Sequence, residues 1–305
     1  MPLDLHTITS APLLTDLLSA RAATIPRVLA DVRSRVTHDS ALARAASQVN
    51  LDEQFVLRYV LSAESRTPDR GAAFVRRVAD AVLATLRFRL DHFDAFERLK
   101  TDTSPVCNYD MPAYLTGDLG VHLCGVTFMA LAEDAPGLKT KSVEELVLQM
   151  SLYNERIRLA LDKRARETGR LAKCAIICDM RGFSVVHLTS KLLKIIGQNS
   201  KLNEMHQPQL LLTSFVVNVG SAFRLMWSIG APFLSASTRE KTVVCAGSTT
   251  KARAAGTAAV DACPFLRKLD AQLRAAGFPS VSDAVPKALA GTGVFPGDVM
   301  AAKLG

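Results

Sequence analysis

The stretch CAIICDMRGFSVVHL, Cys174 to Leu188, decides how this chain is organised. A short apolar run stops at Asp179, and Gly182 follows three residues later. An apolar run of that length, closed by a turn signal, is a buried strand. Its surroundings are helical. Upstream, SVEELVLQMSLYNERIRLALDKRARETG sets Leu146, Met150, Tyr153, Ile157 and Leu161 on one apolar stripe. Ser142 and Glu145 have capping-box spacing, and Gly169 stands where a helix closes. Downstream, Val186 to Ile196 is expected to be helix.

The alternation continues on both sides. GVHLCGVTFMAL, LLLTSFVVNV from Leu210 and KTVVCAG from Lys241 read as strands, and EDAPGLKT reads as a loop. SAFRLMWSIGAPFL is helical until Pro232, and PFLRKLDAQLRAAG is a helix with proline at its start. Strands alternating with helices predict an α/β sheet with parallel pairs. The first hundred residues are different. In FVRRVADAVLATLRFRL, Phe74, Val78, Val82 and Leu86 share one helical face, and EQFVLRYVLSA from Glu53 is a shorter helix. A small helical bundle is expected there. Residues 101–120, TDTSPVCNYDMPAYLTGDLG, are punctuated by Pro105, Pro112, Gly117 and Gly120 and read as irregular. The expected organisation is a helical domain over 1–100, an α/β domain over 101–293 and a tail over 294–305.

With 305 residues, 49% of them hydrophobic, the chain can bury a sizeable core. The formal net charge of +8 fits either an acidic partner surface or a mildly basic exposed face. The cysteines, Cys107, Cys124, Cys174, Cys178, Cys245 and Cys263, form no CxxC. Reduced thiols are expected, which suits the cytosol, and no metal site is expected. No apolar run is long enough to cross a bilayer, and MPLDLHTITSAPLLTDLLSA lacks the basic start of a secretory signal.

Catalytic patterns are missing from the sequence. It contains no GxxxxGK[ST], no HExxH and no GxSxG, and its six histidines have no ligand spacing. DKRARETGR, from Asp162, is basic, but acidic residues interrupt it and no aromatics interleave. It is expected to be the solvated end of a helix. Neither an enzyme nor a nucleic-acid binder is expected.

The block NVGSAFRLMWSIGAPFLSASTREK, Asn218 to Lys241, resembles the most recognisable stretch of the CRAL-TRIO lipid-binding family. Asn218, Phe223, Trp227, Pro232, Phe233, Leu234, Thr238 and Lys241 carry the likeness without a gap. CAIICDMRGFS, with Asp179 and Gly182, is similar to the family's strand ending in Asp-x-x-Gly. Gln207-Pro208-Gln209 stands at its Tyr-Pro-Glu-like turn, VPKALAGTG at its closing segment, and Arg58 at its Leu-Arg-Phe-like position.

The resemblance implies a helical bundle followed by a mixed sheet that floors a hydrophobic pocket, gated by a mobile helix. Cys174, Ile176, Cys178, Phe215 and Val217 are the expected floor, and Phe223, Met226, Trp227 and Phe233 the gate and wall. A two-sided core strand is the plainer alternative for Cys174–Asp179. Lys241 and Gln209 are the expected headgroup contacts, although Lys241 also fits an ordinary strand-start lysine. The implied ligand is a phospholipid, phosphoinositide or other hydrophobic small molecule, with no other cofactor. Gln209 replaces the family's glutamate, and Cys174 and Ile176 replace small hydroxyl residues, so neither headgroup signature is complete. The implied protein is a cytoplasmic monomer that touches a membrane, anionic or neutral, transiently and exchanges lipid. The alternative is a lipid-sensing module that recruits a protein partner.

Overall fold

The computed structural model describes residues 11–101, 107–108, 113–128, 136–180, 185–217, 219, 223–244 and 264–275. Six helices come first: α1 (Leu14–Ser19), α2 (Ile25–Thr37), α3 (Ser40–Ala46), α4 (Glu53–Glu64), α5 (Ala72–Asp91) and α6 (Phe93–Arg98). Their inward faces form one apolar core. Val28, Val32, Val56, Phe74, Val78, Val82 and Leu86 are buried in it, as the four-residue spacing of α5 requires. Asp39 and Asp52 accept from backbone amides and cap α3 and α4.

The sheet follows. Its strands are β1 (Cys107–Asn108), β2 (Ala113–Leu119), β3 (His122–Phe128), β4 (Cys174–Asp179), β5 (Leu211–Val217) and β6 (Thr242–Val244), in sequential order. β1, β2 and β3 pair antiparallel, and β3 to β6 pair parallel. Residues 101–120 are therefore not irregular throughout. Gly120, at φ 61, turns β2 into β3, and cross-strand pairing supplies the order that the local sequence does not encode.

Helices fill the crossovers. Between β3 and β4 lie α7 (Pro136–Thr140) and α8 (Val143–Thr168). The expected loop EDAPGLKT thus ends in a short helix. The Ser142–Glu145 capping box opens α8, and Gly169 closes it at φ 64. α9 (Ser190–His206) joins β4 to β5; it starts later and runs longer than the expected Val186–Ile196, because Thr189 caps it through the Leu192 amide. α10 (Phe223–Gly230), a 3₁₀ turn at Ala231–Phe233 and α11 (Ala236–Glu240) join β5 to β6. α12 (Pro264–Ala275) follows. α8 packs on Leu123 and Cys174 of the sheet, and Leu192 of α9 and Phe223 of α10 join Val216 of β5 in one apolar cluster. None of the described helices is long and apolar enough to cross a membrane.

A buried charged cluster joins the first helices to α8. Arg58 and Arg158 both pair with Asp162, and Arg89 and Arg158 both pair with Glu155. Asp162, expected at a solvated helix end, is 4% exposed.

Candidate functional site

A cavity of about 660 Å³ separates the sheet from α8, α9 and α10. That volume lies within the range of small-molecule sites, about 300–1,000 Å³. Strand parity builds the floor. Cys174, Ile176 and Cys178 of β4 line it, beside Ser214 and Val216 of β5. In the parallel register Ile176 lies opposite Ser214, and Cys178 opposite Val216, so these side chains share one face. Ala175, Ile177, Phe215 and Val217 are buried on the other face.

The cavity is amphipathic along its length. At the carboxyl ends of β4 and β5 its wall is apolar. Met180, Leu192, Val216 and Phe223 form a cluster against which Ile196, Leu188 and Trp227 pack. The Phe223 and Trp227 rings stack 6.0 Å apart. At the amino ends of the same strands the wall is polar, with Gln209, Lys241, Thr238, Asn199 and Asn203 facing the space. There Asn154 Nδ2 donates to Asn203 Oδ1 at 2.8 Å.

The polar end carries charges of both signs: Lys241 and Arg66 line it, and so do Glu204 and Glu240. Lys241 is half-buried; its Nζ donates to the Leu211 carbonyl at 3.3 Å, and its own carbonyl accepts from Thr213 Oγ1 at 2.8 Å. Burial lowers its pKa. Gln209 has a φ of 63, a left-handed conformation uncommon for a residue with a side chain. Two cations hold it there: Arg58 donates to its carbonyl at 3.1 Å and Lys173 to its Oε1 at 2.9 Å. Burial, then the charges of Lys241 and Arg58, push Lys173 down to about 8. The floor itself carries no charge. Burial raises the pKa of Cys174 and of Cys178, so both thiols stay protonated and are poor nucleophiles at neutral pH.

The structure thus brings Cys174, Ile176, Cys178, Gln209, Phe223, Trp227 and Lys241 to one cavity. Phe215 and Val217 do not line it. They alternate with the floor residues Ser214 and Val216, and because β5 is buried on both faces, apolarity alone does not reveal its parity. Phe233 does not line it either; it is 41% exposed and lies against Gly197 of α9. Met226 belongs to α10, but its side chain falls outside the described residues, as do Gly182, Asn218, Gly220 and Val285–Gly293. Lys173, Ser214 and the Asn154–Asn203 pair were not singled out from sequence. The position of Lys173 just before the floor strand was the available signal.

A mixed sheet and its crossover helices thus enclose an amphipathic cavity. Residues 126–254 match the family model of the CRAL/TRIO domain. The family binds lipids and other hydrophobic small molecules. The crystal structure of Sfh5 is similar at 17% identity and a TM-score of 0.43, with 63% of this chain and 65% of that one covered. No curated protein matches the chain.

Proposed function

We propose that this protein binds one amphipathic lipid without chemically altering it and exchanges it with membranes. The tail lies over Ile176, Cys178 and Val216 and under Phe223 and Trp227. The headgroup sits at the amino ends of the strands, beside Lys241 and Gln209, where side chains of both charges can hydrogen-bond a polar group. The observation that carries this reading is the polarity gradient of a single cavity, apolar at one end and polar, with charges of both signs, at the other.

The energetics suit exchange. Each CH₂ moved from water into an apolar site is worth about 0.8 kcal/mol, so a long chain exposed to water costs on the order of 10 kcal/mol. A cavity as apolar as a bilayer offsets most of that cost, and no nucleotide is needed. α10 is the proposed gate. Its outward residues Leu225 and Ile229, with Phe233 just beyond, are 55%, 36% and 41% exposed, which supports transient contact with a bilayer surface. Peripheral membrane contact by a cytoplasmic protein follows from this proposal.

Native mass spectrometry of the purified protein, followed by organic extraction, tests it. One lipid per chain is expected, together with transfer of a fluorescent phospholipid between vesicles. Protein that carries no lipid and transfers none overturns the proposal.

A further inference from the structure

A second cavity of about 180 Å³ adjoins the first, between α4, α5 and the end of α9. Most of its wall is apolar: Tyr59 and Ala63 of α4, Val78, Ala81 and Ala84 of α5, and Met205 of α9. Met205 is 53% exposed. On its own this space falls below the roughly 300 Å³ at which pockets begin to hold a small molecule. It is better described as a branch, because Ser62, Arg66, Glu204 and Pro208 line both cavities.

The wall between them is thin and charged. Arg66 Nη2 lies 2.8 Å from Glu204 Oε1 and also donates to Ser62 Oγ at 3.2 Å. The two side chains are 55% and 36% exposed. Ion pairs in such positions contribute little and rearrange readily. The polar end of the main cavity, with Asn203, Gln207 and Gln209, lies at this same partition.

We propose that the small cavity takes the second hydrocarbon chain of a two-chain lipid, admitted when the Arg66–Glu204 pair swings apart. The inference rests on the lipid-binding function proposed above. The two chains of such a lipid join next to its headgroup. One chain lies along the sheet, so the other must leave the main cavity near the polar end, where the partition stands. Beyond the partition Arg77 is the one charged residue of the wall, and the remainder, Tyr59, Ala63, Val78, Ala81, Ala84 and Met205, suits a chain better than a headgroup.

The variant Ala84→Phe tests this, since Ala84 lines only the small cavity. Delipidated protein is loaded with phosphatidylinositol or with lysophosphatidylinositol carrying the same oleoyl chain, and retention is measured by native mass spectrometry. Ala84→Phe is expected to weaken the two-chain lipid roughly tenfold, the scale on which apolar pockets discriminate size, and to leave the one-chain lipid unchanged. Arg66→Ala/Glu204→Ala, at an exposed site that does not threaten folding, is expected to speed uptake of the two-chain lipid more than that of the one-chain lipid, since both residues also line the main cavity. Wild-type protein that retains both lipids, with neither variant distinguishing them, overturns the branch but not the lipid-binding function. Wild-type protein that retains neither lipid, and that carries none when purified, overturns both.

Discussion

Arg58 and Asp162 meet in a buried ion pair, with Nη2 of the arginine 2.9 Å from Oδ1 of the aspartate. The arginine belongs to α4 and the aspartate to α8. The same guanidinium holds the Gln209 carbonyl at the polar end of the cavity. One residue therefore ties the amino-terminal helices both to the crossover helix and to the ligand-binding end of the sheet.

Asp162→Ala leaves Arg58 and Arg158 buried without their shared partner. Breaking a buried pair from one side costs about 3–5 kcal/mol, and an unfolding free energy lowered by that amount in urea titration is expected. Acid acts on the same cluster through Glu155. Burial opposes its ionisation, but Arg158 and Arg89 outweigh burial and hold its pKa below the usual 4.5. A carboxylate with a depressed folded-state pKa contributes stability that is complete above 4.5 and lost as the pH falls through the lower value. Urea midpoints measured from neutral to acid pH are expected to fall in that window. In Glu155→Gln the fall is expected to be shallower, from a lower neutral starting point.

Strand parity separates binding from stability on adjacent residues of β5. Phe215→Ala empties a site behind the floor and is expected to cost about 3–5 kcal/mol of stability while leaving lipid capacity intact. Ser214→Phe projects a ring into the cavity and is expected to abolish lipid retention with little change in melting temperature. If Ser214→Phe retains lipid normally, the floor has been assigned to the wrong face.

Trp227 stacks on Phe223 under the proposed gate. Trp227→Glu places a carboxylate where both the closed cavity and the bilayer surface are apolar, and burying an unpaired charge is costly in either state. Vesicle-to-vesicle lipid exchange is expected to disappear while far-ultraviolet circular dichroism stays unchanged. Unchanged exchange would remove α10 from the mechanism.

If a headgroup sits beside Gln209, Lys173, which donates to the Gln209 Oε1, is expected to make its binding pH-dependent. Its folded-state pKa, about 8, lies below the ordinary 10.5, so its protonated form is penalised by the fold and stability rises as pH climbs between those values. An anionic headgroup nearby raises that pKa. Binding of an anionic lipid at or above about pH 8 therefore takes up a proton, and affinity falls as the pH rises further. Calorimetry in two buffers of different ionisation enthalpy is expected to detect this uptake, and Lys173→Met is expected to remove it. Uptake that persists in the variant would assign the proton to another group.

The elements set by local chemistry were legible in the sequence. α8 opens on the Ser142–Glu145 box and closes at Gly169, because caps and left-handed glycines act within one turn of chain. β4 and β5 appear as apolar runs, and their alternation with helices implied parallel pairing. Tertiary structure alone decided the rest. β2 exists because β3 pairs with it through a proline- and glycine-rich stretch that carries no pattern of its own. Asp162 sits in a run that reads as a solvated helix end, yet Arg58, 104 residues away, buries it. Ser214 faces the cavity and Phe215 faces away because β4 fixes the register of β5, and a strand covered on both sides shows no polar alternation from which that could be read. Short-range preferences are written along the chain, whereas the faces that enclose a ligand arise only when distant segments pair.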